Sequence, residues 1–343
     1  MKLAIVLFNL GGPDSPEAVE PFLRNLFGDP AILSVPGFVR APLARFIARR
    51  RAPVARDIYA RIGGSSPILR ETQAQADAVD RVLVTRGVEA KSFIAMRCWH
   101  PFADEVATAV KAWGADRIVL LPLYPQFSTT TTASALSDWD RASKAVGLNL
   151  PTARVCCYPD AGGLIHAEAD LIQQTLTRTK PGVNYRLLFS AHGLPERTIA
   201  KGDPYQFQVE RTVAAIVEAL GISGLDHAVC YQSRVGPLKW IGPATDAEIR
   251  RAGADGKGVV VVPVAFVSEH SETLVELDIE YAQVAKDAGV PDYLRVPTVG
   301  SHPDFIGALA DLVLAANGSH SVISGCGVRL CPARFRTCPH PEN

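Results

Sequence analysis

The chain has 343 residues, enough for two domains of ordinary size with a substantial core. Apolar residues make up 48% and charged residues 20%, and Lys plus Arg balances Asp plus Glu at 35 each, so no overall charge points to nucleic acid. The longest strongly apolar run, 259–267, is broken by Pro263 and falls far short of the about 20 residues a membrane span needs.

The first apolar run, 3–7, is closed by Gly11-Gly12-Pro13 and reads as a buried strand rather than a secretory leader. A cytoplasmic protein is expected, its seven cysteines reduced or metal-bound. Further strands are predicted at 92–96, 117–121, 153–157, 186–189, 227–231 and 259–266. Helical patterns lie between them at 71–85, 102–113, 165–177, 205–220 and 273–288, with a last one at 303–316. This alternation predicts an α/β fold of two doubly wound, Rossmann-like domains with parallel sheets and an active-site cleft between them. The domains are expected at 1–125 and 126–302, with 303–320 packing back on the first and 321–343 forming a cysteine-rich tail. The Thr- and Ser-rich stretch 124–147 marks the junction.

Ligands of such sheets sit beyond the carboxyl ends of the strands. Polar clusters fall at those ends, at 9–12, 97–100, 190–193, 232–234 and 268–272. In S-A-H-G-L-P, Gly193 lets the backbone turn and Pro195 stops the strand, leaving His192 at a strand end. An imidazole there is a base, a metal ligand or a partner for loop carbonyls. His270 and Glu272 follow the last strand, and Glu272, Glu276 and Glu280 recur every four residues on a helix. In an ideal α-helix such a row drifts by about 40° per step; a π-type bulge changes that stacking and is common at functional sites. Leu274, Leu277 and Tyr281 form an apolar stripe beside the row. Lys257 is the only Lys or Arg between Arg251 and Lys286. The carboxylates are therefore expected to hold protons or attract cations.

F-S-A-H-G-L-P at 189–195, Y-Q-S-R-V-G-P-L-K-W-I-G-P at 231–243 and S-E-H-S-E-T-L-V-E-L-D-I-E-Y at 268–281 resemble the ferrochelatase family, which inserts ferrous iron into a porphyrin to make haem. The likeness extends to F-N-L-G-G-P at 8–13, R-I-G-G-S-S-P-I at 61–68, M-R-C-W-H-P at 96–101 and L-Y-P-Q-F-S at 123–128, in the family's order. The resemblance implies that His192 and Glu272 form the metal-insertion centre, that His270 supports them, and that Glu276 and Glu280 form an acidic path. It places Leu10, Arg51, Tyr59, Arg97, Tyr124 and Trp240 around the porphyrin. An aliphatic Leu10 implies protoporphyrin IX rather than coproporphyrin III. A cobalt or nickel chelatase and a haem or metal carrier are the competing readings; the carrier does not account for a base, a carboxylate row and an aromatic wall at one cleft.

Residues 32–51 mix apolar side chains with Arg40, Arg45 and Arg49–Arg51. The resemblance implies an active-site lip, and exposed Phe and Leu beside arginines suit peripheral contact with the inner face of a membrane. The alternative is an amphipathic helix packed on the core. Cys326, Cys331 and Cys338 crowd a Gly/Pro/Arg-rich tail, and Cys156 and Cys157 lie mid-chain. Four thiolates can hold zinc or a [2Fe–2S] cluster. Some ferrochelatases carry a [2Fe–2S] cluster on one internal and three C-terminal cysteines. That likeness implies Cys157, Cys326, Cys331 and Cys338 as ligands, with Cys156 as the substitute; free tail thiols are the alternative. Cys98 and Cys230 read as small residues at strand ends. A monomer or a homodimer is expected.

Overall fold

The computed structural model describes residues 1–234, 236, 238–319 and 322–341. Val235 and Pro237 of the 231–243 motif, His320 at the end of the 303–320 segment, and Ser321, Glu342 and Asn343 of the tail lie outside the described residues.

Two parallel sheets carry the fold. The first has the order β2-β1-β3-β4-β9, made of β1 (Leu3–Asn9), β2 (Ala90–Met96), β3 (Arg117–Pro122), β4 (Thr152–Cys157) and β9 (Val322–Ser324). The second has the order β6-β5-β7-β8, from β5 (Tyr185–His192), β6 (His227–Gln232), β7 (Gly258–Val262) and β8 (Tyr293–Arg295). Strands buried on both faces need near-continuous apolar runs, and β1 reads L-A-I-V-L-F-N with every residue buried. Its odd residues Leu3, Ile5 and Leu7 enter one core, with α3 (Ile68–Thr85) and α11 (Pro303–Asn317). Its even residues Ala4, Val6 and Phe8 enter another, with α4 (Ala103–Trp113) and α5 (Thr132–Ala145). The second sheet repeats this. Leu187, Phe189 and Ala191 face α8 (Tyr205–Leu220), and Leu188 faces the core of α9 (Thr245–Ala254) and α10 (Tyr281–Asp287).

Three features depart from expectation. First, β4 pairs with β3 and so belongs to the first sheet, which puts the turnover between halves after 157 rather than in 124–147. The Thr- and Ser-rich stretch is instead occupied largely by α5, which packs on β1 and β3. Second, the run 259–266 is strand only to Val262, because Pro263 has no N–H to continue the ladder. Third, the segment expected to start a helix at 273 is a π-helix, Glu272–Glu280, running directly into α10. In addition, α11 packs against α3, α6 (Gly162–Leu176) and β3, and β9 closes the edge beyond β4.

The halves are stitched by buried polar side chains. Gln75 Nε2 donates to the carbonyls of Val267 and Gly300 at 2.8 and 2.9 Å, and its Oε1 accepts from Ser268. Gln126 donates to Thr212, and Gln208 accepts from the Phe127 N–H at 2.7 Å. Asp203 accepts from Ser128 Oγ and from both the N–H and the hydroxyl of Thr129. These bonds fix the loop after β3 to Asp203 and to the first two turns of α8.

The segment 32–51 lies mainly in one long helix, α2 (Gly37–Ala60). Ala44, Ala48 and Ala52 at i+4 spacing pack it tightly on α1 (Val19–Gly28), while Phe38 and Phe46 are 83% and 60% exposed. The helix is thus packed on the core along one stripe and carries exposed aromatic residues on another. Among the described residues, no helix is long and apolar enough to cross a membrane.

Candidate active site

The carboxyl end of β5 delivers His192, and Gly193 explains the tight turn that follows. A Cβ at Gly193 would stand 2.9 Å from the Gln232 carbonyl oxygen and 3.4 Å from the Trp240 ring. Gly193 N–H donates to that carbonyl, joining the ends of β5 and β6. Pro195 bridges to Trp240, which sets the indole beside the histidine loop.

His192 Nδ1 lies 2.9 Å from Glu272 Oε2 at the first residue of the π-helix. His270 Nε2 stands 3.6 Å from the same oxygen. A carboxylate only accepts, so this contact puts the His192 proton on Nδ1 and leaves Nε2 as the nitrogen with a lone pair. Burial disfavours the imidazolium, but the Glu272 charge and hydrogen bond outweigh it, raising the His192 pKa. Burial likewise opposes the Glu272 carboxylate, and the two histidines overcome it, holding its pKa far below the usual range. His270 packs against Phe266 with ring centroids 4.7 Å apart and planes tilted by 52°, and its buried Nδ1 has no partner among the described residues. Tyr205 is buried beneath, accepting from the His192 backbone N–H, and burial pushes its phenol well up.

Glu276 is not the unpartnered carboxylate that the lack of nearby Lys and Arg suggested. Ser233 N–H and Tyr281 OH donate to its Oε1 at 2.8 and 2.9 Å. Ser233 Oγ and Gln232 Nε2 donate to its Oε2 at 2.5 and 3.1 Å. Tyr281 belongs to the expected apolar stripe, yet its hydroxyl serves the carboxylate. Glu280 pairs at 3.6 Å with Arg61, a cation more than two hundred residues away in sequence, just after α2. Tyr59 at the end of α2 accepts from Ser271 Oγ at 3.4 Å, and burial raises its phenol to about 12. Behind the π-helix, Arg295 pairs with Asp278 through two bonds of 2.7 Å and with Glu269 at 2.6 Å.

The structure therefore brings together His192, His270, Glu272, Glu276, Trp240 and, through Ser271, Tyr59. Leu10 sits in the apolar cluster of α1 and α2. Tyr124 is partly buried, and its buried hydroxyl has no hydrogen-bond partner among the described residues. Arg97 is engaged by Asp29 at 3.1 Å and Ser134 at 2.8 Å, lining a 280 Å³ polar cavity with Arg24, Asn25 and Arg141. Arg51 is exposed on α2, over the Phe27 ring. Sequence reasoning placed Gln232 and Ser233 in a polar cluster at a strand end without assigning them a role, and missed Tyr281, Arg61 and Tyr205 as parts of the site. The first two lie inside a recognised motif; Arg61 opens another.

The cysteines separate into two groups. Cys331 and Cys338 share a hydrogen bond, Gln208 donates to Cys331 Sγ at 3.1 Å, and Cys157 is close enough to interact electrostatically with both. The bond from Cys331 holds the Cys338 thiol below its ordinary value. Cys156 Sγ lies 3.5 Å from Cys157 Sγ. Cys326 is exposed, its thiol 3.2 Å from the Val328 carbonyl. Three thiols of the expected set thus converge and the fourth stands apart. Among the described residues no group of three or more His, Cys, Asp or Glu side chains is arranged to hold a metal ion.

A family model described as Ferrochelatase matches residues 2–317. A protein of Caulobacter vibrioides (strain NA1000 / CB15N) named ferrochelatase is 54% identical over 345 aligned positions, 99% of this chain and 98% of that one. One of Phenylobacterium zucineum (strain HLK1), also named ferrochelatase, is 55% identical over 340, 98% of each. Among solved structures, the sirohydrochlorin chelatase SirB from Bacillus subtilis subspecies spizizenii, in complex with cobalt, superposes with a TM-score of 0.51 at 13% identity, over 93% of this chain and 95% of that one. That similarity speaks for the two-sheet fold. The family match and the full-length relatives speak for more: the chain belongs to the ferrochelatase family.

Proposed function

We propose that this protein inserts Fe2+ into protoporphyrin IX to form protohaem, releasing the two pyrrole protons. The observation that carries the reading is the His192–Glu272 pair at 2.9 Å, which leaves Nε2 as the imidazole nitrogen with a lone pair. Metalation requires a base on one face of the ring. His192 Nε2 supplies a lone pair for a pyrrole proton, and the Glu272 charge stabilises the imidazolium that forms. Glu272, or His192 when its lone pair is not taken by a pyrrole proton, is the group offered to Fe2+ in place of its water shell, with His270 orienting the carboxylate. Glu276 and Glu280 extend the negative charge behind them. Trp240, Leu10, Tyr59 and Tyr124 offer aromatic and aliphatic walls to the flat macrocycle, and Arg51 and Arg97 offer cations to its carboxylates. The aliphatic Leu10 favours protoporphyrin.

The family likeness also suggests a [2Fe–2S] cluster on Cys157, Cys326, Cys331 and Cys338. The convergence of three of these thiols supports it, and Cys326 has to turn in to complete the set. No step of insertion is routed through it. The exposed Phe38 and Phe46 among Arg45, Arg49, Arg50 and Arg51 support peripheral binding to an anionic lipid surface from the cytoplasmic side.

An anaerobic assay with Fe2+ and Co2+ on protoporphyrin and coproporphyrin tests the reading. Haem from Fe2+ and protoporphyrin is expected. No metalloporphyrin from any combination overturns it.

A further inference from the structure

Among the described residues, Ser233 is the one non-glycine residue with positive φ, at +60°. That region is costly for a side chain and concentrates where surrounding structure demands it. Here the demand is visible. The left-handed backbone directs the Ser233 N–H at Glu276 Oε1 and lets its hydroxyl reach Oε2, so one residue grips both oxygens. Tyr281 adds a second donor to Oε1 and Gln232 a second to Oε2. Four donors meet a group with about four lone-pair sites, so the carboxylate is saturated. An iron ion or an added proton would have to displace one of them.

The same Gln232 amide nitrogen also donates to the Glu272 carbonyl at 3.2 Å, and its Oε1 accepts from Ser190, two residues before His192. The saturated carboxylate is thereby tied to the backbone of Glu272 and to the strand that carries the histidine.

We infer that Ser233 is a positioning residue for metal insertion: from its strained backbone it locks Glu276 as a fixed strut that holds Glu272 against His192, rather than leaving Glu276 as an iron-binding stop. This rests on the iron-insertion reading and assigns it a residue whose backbone and side chain both act on the site.

Two variants separate this from a role in stability alone. Ser233→Ala removes the hydroxyl and keeps the strain. Ser233→Gly removes the hydroxyl and relieves the strain. Both are expected to lose about tenfold in kcat, the usual scale for a residue that orients a ligand. KM for Fe2+ is expected to stay within about twofold, because Glu276 does not meet the ion. Their thermal midpoints should diverge, with Ser233→Ala below wild type and Ser233→Gly at or above it. A Gly variant with wild-type kcat overturns the inference. So does a rise in KM for Fe2+ at unchanged kcat, which marks Glu276 as a ligand. If the wild-type protein inserts no iron, the functional reading fails separately. The clamp is then judged by the Tm split, and equal losses in both variants overturn it.

Discussion

Glu272 is shared by two histidines from different parts of the chain: its Oε2 lies 2.9 Å from His192 Nδ1 and 3.6 Å from His270 Nε2. The pairing leaves His192 with one committed nitrogen and one available. His192→Ala should abolish insertion while porphyrin binding, read by fluorescence quenching, stays within a few-fold of wild type. Turnover like wild type removes His192 from its role as base.

The pair also sets a pH dependence of stability. Glu272 has a depressed folded pKa, so its contribution is present above the ordinary carboxylate range and lost as pH falls through the folded value. His192 has a raised folded pKa, so its contribution is full below about 6.5 and lost as pH rises through the folded value. The two overlap between about pH 4.5 and 6.5. The Tm gap between wild type and Glu272→Gln should be widest there and shrink toward pH 8. A gap that widens with pH contradicts the assignment. The gap should be modest, since the His192 side chain is 37% exposed.

Glu168 tests a different consequence of burial. It is 1% exposed on α6, its Oε2 has no partner, and burial raises its pKa to about 8. For an acid raised in this way, the folded state holds a proton that the unfolded chain has lost, so stability falls as pH climbs from about 4.5 to 8. The penalty is on the order of 3 kcal/mol at pH 7. Glu168→Gln should therefore gain Tm over wild type steadily across that interval in calorimetry. A difference that does not change with pH places the proton elsewhere.

Gly193→Ala should cost about 1–3 kcal/mol, because the new methyl meets a backbone oxygen that cannot rotate away. The same displacement moves the end of β5, so kcat should fall more than stability predicts. Denaturant unfolding and steady-state kinetics on one preparation compare the two.

The tail thiols have a spectroscopic test. Protein purified without oxygen should be reddish and contain iron, and Cys338→Ser should bleach it. A colourless, iron-free and fully active wild-type protein removes the cluster.

Much of this architecture is legible in the sequence because buried parallel strands need long apolar runs, as in 3–7, 117–121 and 259–262. The three-residue strands β8 and β9 give no such signal, and the sheet to which β4 belongs is a tertiary choice that local pattern does not encode. At the site, His192 and Glu272 stand out as polar residues closing apolar runs. The partners of Glu276 do not. A left-handed serine looks like any serine, and Tyr281 is read as apolar because its ring counts toward the stripe while its hydroxyl acts elsewhere. Arg61 is invisible to any argument from neighbouring charge, since the chain brings it from the other half.

One edge strand has a consequence for how the molecule is made. The first sheet begins with the third residue and is closed at its far edge by Val322–Ser324, while α11, from Pro303, fills the core beneath it. On the ribosome the second half has all its strands available before the first half has all of its own. The first half therefore lacks its edge strand and one core helix until residues 303–324 have been made.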